Sequence, residues 1–224
     1  MTAYPLDLER PGLLRDGRSI LIRPASPDDA DVVLGFNGRL SRRTIAIRSL
    51  GPIITMDRDA AVRLVTNDYH DRLVLLATLD DHVIGVADYV RNETAADRAD
   101  IAFTVEDAYQ GMGLGGLLLE HLAAAARERG IEVFEADVVS ENLPMIRTFQ
   151  SSGYRVEFDQ EGGITHLELA VDPRRQVLAR SDRRERAVAA GRADGRGRRC
   201  RMTTCGYGPS SAQRAMPASP RAAA

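Results

Sequence analysis

Apolar and polar positions divide the first three quarters of the chain into short elements whose period changes from two to about 3.6 and back. Ser19-Ile20-Leu21-Ile22-Arg23 reads as a strand closed by Pro24. Ser26-Pro27-Asp28-Asp29 then opens a helix: Ser caps, Pro takes the first position, and acids fill the first turn. That helix is expected to reach about Leu40, with a second stretch from Ser41 to Leu50, stopped by Gly51-Pro52, and a third capped by Asp57 and ending near Asn67. Arg72–Leu79 and Val83–Val90 are nearly all apolar and read as strands joined through Asp80-Asp81-His82. In Arg98–Val105, Ile101, Phe103 and Val105 share one face. Gly113–Arg129 is the strongest helix, with Leu114, Leu117, Leu118, Leu122 and Ala125 at helical spacing and Gly130 as the stop. Glu132–Val139 reads as a strand, Leu143–Ser152 as a helix, and Tyr154–Asp159 with Ile164–Ala170 as a hairpin around Gly162-Gly163. The order β-α-α-α-β-β-β-α-β-α-β-β predicts an α+β fold, with a mixed, mostly antiparallel sheet flanked by helices.

The pattern stops at about residue 172. Residues 173–224 hold only Val177, Leu178, Val188, Met202 and Met216 as large aliphatic side chains, too few to bury a core. The chain contains no lysine, so all 30 of its Lys+Arg residues are arginine. Thirteen of these lie in 173–224 against Asp182, Glu185 and Asp194, a net of +10, while 1–172 carries 17 arginines against 29 acids, a net of −12. The near-neutral total therefore sums two opposite halves. The basic segment is expected to be a disordered, solvated tail. Without aromatic interleaving beyond Tyr207 it makes nucleic acid an unlikely partner. Its Cys200 and Cys205, the only cysteines, form a C-x4-C with no further ligands and read as incidental thiols. No run reaches the roughly 18–20 apolar residues of a membrane helix, and MTAYPLDLER lacks the features of a secretory signal, so a reducing cytoplasm is the expected compartment.

The chemistry is concentrated in Val105-Glu106-Asp107-Ala108-Tyr109-Gln110-Gly111-Met112-Gly113-Leu114-Gly115-Gly116, between a strand and the best helix. Four glycines at a helix N-terminus let a ligand approach unpaired N–H groups, and the helix dipole adds positive potential, an arrangement suited to a phosphate or a diphosphate. Gly111, Gly113 and Gly116 also satisfy G-x-G-x-x-G. The dinucleotide reading of that pattern needs a parallel βαβ unit, whereas antiparallel strands are expected before this loop.

Gln110-Gly111-Met112-Gly113-Leu114-Gly115 followed by Leu117-Leu118, and Ser140-Glu141-Asn142 leading to Phe149-Gln150-Ser151-Ser152-Gly153-Tyr154, resemble the two motifs of the GNAT acetyltransferase superfamily. Leu14-Arg15-Asp16-Gly17 with Ile22-Arg23-Pro24, and Leu40-Ser41 with Arg48, further resemble the catalytic module of bacterial protein lysine acetyltransferases, the type found beside or fused to acyl-CoA synthetases. The resemblance implies a catalytic domain over 18–172, an N-terminal extension over 1–17, and acetyl-CoA as cosubstrate. Its diphosphate would rest on amides from Met112 to Gly116, beside Gln110 and Gly111. The pantetheine arm would lie along Phe103, Thr104 and Val105, with the Val105 N–H facing the thioester carbonyl. Asn142 would bond the arm, and is equally a good cap for the following helix.

The acceptor implied is an amine, most simply the ε-amine of a lysine on a protein such as an acyl-CoA synthetase. A small-molecule amine, or a non-catalytic coenzyme A sensor, are the alternatives. Neutralising a lysine of pKa about 10.4 at pH 7 costs about 4–5 kcal/mol, so a carboxylate base is expected. The candidates are Asp100, where the resembling enzymes carry Glu, and Glu106 at the strand end. Phe149 stands where many relatives place a proton-donating Tyr. Tyr154 is expected in the core, and Tyr89 either lines the acceptor cleft or packs. His70, His82, His121 and His166 are spread one per element without ligand spacing or an acid partner, so no metal is expected.

Overall fold

The computed structural model describes residues 3–49, 56–172 and 186–188. The expected disordered tail, its cysteine pair, and the Gly51-Pro52 stop fall outside these, except for one helical turn at 186–188. Eight strands form one sheet in the order β1-β2-β3-β4-β5-β6-β8-β7. They are β1 (Arg10–Leu13), β2 (Ser19–Pro24), β3 (Arg72–Leu79), β4 (His82–Arg91), β5 (Arg98–Val105), β6 (Val133–Val139), β7 (Arg155–Glu161) and β8 (Ile164–Ala170). The helices are α1 (Ala30–Arg39), α2 (Arg42–Ser49), α3 (Arg58–Val65), α4 (Leu114–Glu128) and α5 (Leu143–Gln150). All neighbours are antiparallel except β5 and β6.

Local chemistry explains most boundaries. Asp80 and Asp81, at φ 47° and 67°, make the two-residue turn between β3 and β4, and Gly162 and Gly163 do the same between β7 and β8. Before α1, the Ser26 and Asp29 side chains complete a reciprocal capping box. The same Asp29 carboxylate receives both terminal nitrogens of Arg23 at 2.8 and 2.6 Å, which locks β2 to the helix start. Asp57 caps α3 by accepting from the Ala60 N–H. One element has no announcement in the pattern: β1, in the segment read as an extension, pairs along β2. Its four residues include Pro11 and Gly12, residues that normally count against a strand. An edge position tolerates them because one side of the strand needs no ladder.

Two cores sit on opposite faces of the sheet. One holds α4 against β3, β4 and β5, with Leu114, Leu118, Leu119 and Leu122 at most 1% exposed. Gly85 on β4 permits that contact: a Cβ there would meet the Leu114 Cδ2 at 3.0 Å. The other packs α1 and α3 through Val33, Phe36, Ala61 and Val65 against Val74, Leu76 and Val86. Tyr89 is fully buried in the first core, beside Phe134, and donates its hydroxyl to the His70 carbonyl, so it packs and does not line a cleft. Tyr154 is core as expected.

Candidate functional site

The site begins where β5 and β6 stop pairing. They share the register pairs Arg98–Val133, Ala99–Phe134 and Asp100–Glu135, and then diverge. From Ile101 onward β5 has a strand on one side only, β4. The Glu106 N–H donates to the Ile84 carbonyl on β4. Strand alternation therefore turns the N–H groups of Val105 and Phe103 the other way, into the gap. A strand edge left without a partner is a template for another extended chain, and this wedge accepts one that bears amides. The cleft measures about 1100 Å³ and is lined by β5 from Asp100 to Val105, by the glycine loop, and by the starts of α4 and α5.

At the open end, Gly111 and Gly113 adopt φ 75° and 85°, conformations that disfavour side chains. Gly113 is the N-cap of the 15-residue α4 and supplies no side-chain cap, so the amides of Leu114, Gly115 and Gly116 present the positive end of the helix to the cleft. A Cβ on Gly116 would meet nothing within 4 Å, and one on Gly113 would only touch the Arg15 side chain, at 3.4 Å. Leu114 turns its side chain into the core. These features suit a phosphate or diphosphate group.

The loop is held from a direction that sequence spacing could not reveal. In the turn between β1 and β2, the Arg15 N–H donates to the Met112 carbonyl at 3.0 Å, and the Arg15 guanidinium to the Gly111 carbonyl at 3.2 Å. Arg18 reaches the Met112 sulfur and lies over the Tyr109 ring. On the other flank, Asp107 accepts from the Ser41 N–H and from the hydroxyls of Ser41 and Thr44, bracing the start of α2, which Ser41 caps by accepting from the Thr44 N–H. Burial alone would raise the Asp107 carboxyl, but these donors hold it below the usual range. The Gln110 side chain donates to the Val105 carbonyl and to Thr44, so it braces the loop against β5.

Asp100 ends the paired stretch, on the face opposite the main core, with its carboxylate at the cleft. Burial raises its pKa first, and the nearby carboxylates of Glu135 and Asp137 raise it further, against a smaller opposing effect of His166. Glu106, the other candidate base, is absent from the lining; its carboxylate receives Arg39 from α1 at 3.2 Å. Phe103 faces the core edge-on to Phe149, which is 1% exposed. Thr104 points to the Asp100 face, by alternation. Asn142 caps α5, accepting from the Met145 N–H at 3.3 Å, and still lines the cleft. The expectation that no histidine has an acid partner is corrected: His70 meets Asp71, and His166 meets Asp137, each at 2.8 Å. The second pair is cross-strand, from β8 to β6, and invisible along the chain.

An open wedge between parallel strands that ends in a glycine-rich helix start suits an extended, amide-bearing ligand with a phosphate group at one end. Residues 48–154 match the Acetyltransferase (GNAT) family. The solved GNAT domain of S. lividans PAT is 35% identical, with a TM-score of 0.70, and the match covers 75% of this chain and 99% of that one. Acetyltransferase Pat of Mycolicibacterium smegmatis is 30% identical over 165 residues, 73% of this chain and 49% of its own length. This chain thus spans about half of that curated relative. A Salmonella typhimurium acetyltransferase solved with acetyl-CoA shares the fold at TM-score 0.55 and 23% identity, over 70% of this chain and 96% of that one. The chain belongs to the GNAT acetyltransferase family, whose enzymes are N-acetyltransferases with acetyl-CoA as cosubstrate.

Gly116→Glu places a carboxylate where the diphosphate would sit, in open space and at a position where an acid suits the helix start. The expected outcome is a melting temperature unchanged or raised, with coenzyme A affinity reduced at least about tenfold, the equivalent of about 1.4 kcal/mol, read by calorimetric titration.

Proposed function

We propose that this chain transfers an acetyl group from acetyl-CoA to an amine, and that the acceptor is a protein lysine. The observation carrying this reading is the juxtaposition in one cleft of inward N–H groups on β5 with Asp100 among Glu135 and Asp137. The diphosphate rests on the amides from Met112 to Gly116, and the arm lies along Phe103–Val105 beside Asn142. A field of three carboxylates favours a cationic amine over neutral nucleophiles. Asp100 takes the ammonium proton, directly or through one water, given that aspartate is a methylene shorter than glutamate. The free amine forms the C–N bond to the thioester carbon, and the Val105 N–H faces the oxygen on which charge develops. As the tetrahedral intermediate collapses, its nitrogen gives its surplus proton to solvent and the C–S bond breaks. Phe149 has no proton to give, and a thiol of pKa near 8.5 leaves well enough for solvent to supply the proton. Similarity to acetyltransferase Pat and to the S. lividans PAT domain supports the protein acceptor. An acyl-CoA synthetase or another lysine-bearing protein is the partner this predicts.

A base must be ionised to act, so activity falls as pH drops through the Asp100 pKa, which lies above the ordinary aspartate value. Coenzyme A release followed across pH should show that acid limb. Asp100→Asn is expected to lower the rate about 10²–10⁴-fold, while Glu106→Gln leaves it within about twofold because its carboxylate serves Arg39. Glu135→Gln removes one of the charges that raise Asp100, and should move the limb to lower pH. An unchanged rate in Asp100→Asn removes that residue from the mechanism.

Incubation of the protein with radiolabelled acetyl-CoA and a bacterial lysate tests the acceptor class. Label is expected in protein bands and lost in Asp100→Asn; label confined to small amines would contradict a protein acceptor. Tight coenzyme A binding without thiol release would mark a sensor.

A further inference from the structure

The cleft does not end at Asp100. Its acceptor side continues as the outer face of β6, β8 and β7, where cross-strand rows bring together Glu135, Glu168 and Glu157, and then Asp137, His166 and Asp159, with Glu161 beyond. Against six carboxylates this face sets Arg155, His166, and Arg98 reaching across from β5 to Glu135 and Glu168. It is open: every outer-face residue of β7 is exposed, and the Asp137 and His166 side chains are 51% and 50% exposed. The helices α1 and α3 cover the sheet on this side only over β3 and β4.

The chain itself contains a polymer of opposite charge. Residues 173–224 carry 13 arginines against three acids, and begin three residues after β8 ends at Ala170. The outer residues of β7 from Arg155 to Glu161 extend only about 20 Å at roughly 3.3 Å per residue, well within reach of a 52-residue segment. We propose that this arginine-rich segment docks on the acidic outer face of β6, β8 and β7 in the same molecule. Exposed ion pairs contribute little singly. Many guanidinium groups tethered beside many carboxylates act together, each able to form paired N–H···O bonds, at a high effective concentration. Because the segment holds no lysine, it screens the approach to the cleft without offering an acetylatable side-chain amine. Docking itself is independent of acetyl transfer.

The only cysteines of this sequence, Cys200 and Cys205, lie in this segment and allow a test on the whole 224-residue chain without added handles. Both are labelled with a benzophenone maleimide, the dilute protein is irradiated at low salt, and crosslinked peptides are mapped by mass spectrometry. Crosslinks are expected within the monomer, on peptides of β6, β7 and β8. Their yield should fall several-fold in about 1 M salt, where screening acts within roughly 3 Å. It should fall as well in Glu157→Gln/Asp159→Asn/Glu161→Gln, whose exposed edge-strand positions leave the fold intact by circular dichroism. Crosslinks spread over the α4 face, formed only between two copies, or indifferent to both salt and the triple variant would overturn the proposal. The readout needs neither coenzyme A nor an acceptor, so its failure is distinct from failure of the acetyltransferase reading.

Discussion

The structure turns on an interrupted ladder. β5 and β6 are the only parallel neighbours in the sheet and share three register pairs. A parallel pair needs a crossover, and here α4 provides it. Once the strands part, the N–H groups of Phe103 and Val105 face the gap with no strand opposite, while the Val105 carbonyl accepts from Gln110. The wedge is thus a missing strand, and a ligand able to replace it must be extended and carry amides. Everything else at the site places such a ligand: α4 aims its N-terminus at the open end, the turn between β1 and β2 clasps the glycine loop, and Asp107 fixes α2 over the side.

The same constraint separates the two carboxylates next to β5. Asp100 and Glu106 fall on the same face by alternation, and their places along β5 separate them: Asp100 lines the cleft where β6 begins to part, while Glu106, past the strand end, turns to Arg39 on α1. Asp100 stands in a row with Glu135, and Glu135 and Asp137 raise its pKa. In the proposed reaction the same carboxylates would attract a cationic amine, so substrate attraction and base strength would share one origin. The Arg98 guanidinium, bonded to both Glu135 and Glu168, keeps that concentration of negative charge tolerable beside the first paired residues.

Much of this was legible in the sequence because the signals are local. Strand limits at Arg98–Val105 and Ile164–Ala170 followed from apolar periodicity, the Asp80-Asp81 hairpin and the Asp57 cap from turn and cap chemistry, and the ligand loop from four glycines before an apolar helix. What depends on strand pairing was not. Arg15 lies 96 residues from Gly111, which it grips, and His166 lies 29 from Asp137. β1 carries Pro11 and Gly12 and exists because β2 offers it an edge. Asn142 shows the opposite case, where the local reading as a helix cap was sound and its place in the cleft came in addition.

The central claim is that the β5 backbone in the wedge awaits an extended ligand, and backbone hydrogen exchange tests it most directly. In the free protein the amides of Phe103 and Val105 should exchange rapidly, while those of Ala102 and Thr104, turned toward β4, stay protected. Adding coenzyme A should slow Phe103 and Val105 selectively. Protection of these two amides before any ligand is added, or exchange that saturating coenzyme A leaves unaltered, would contradict the account.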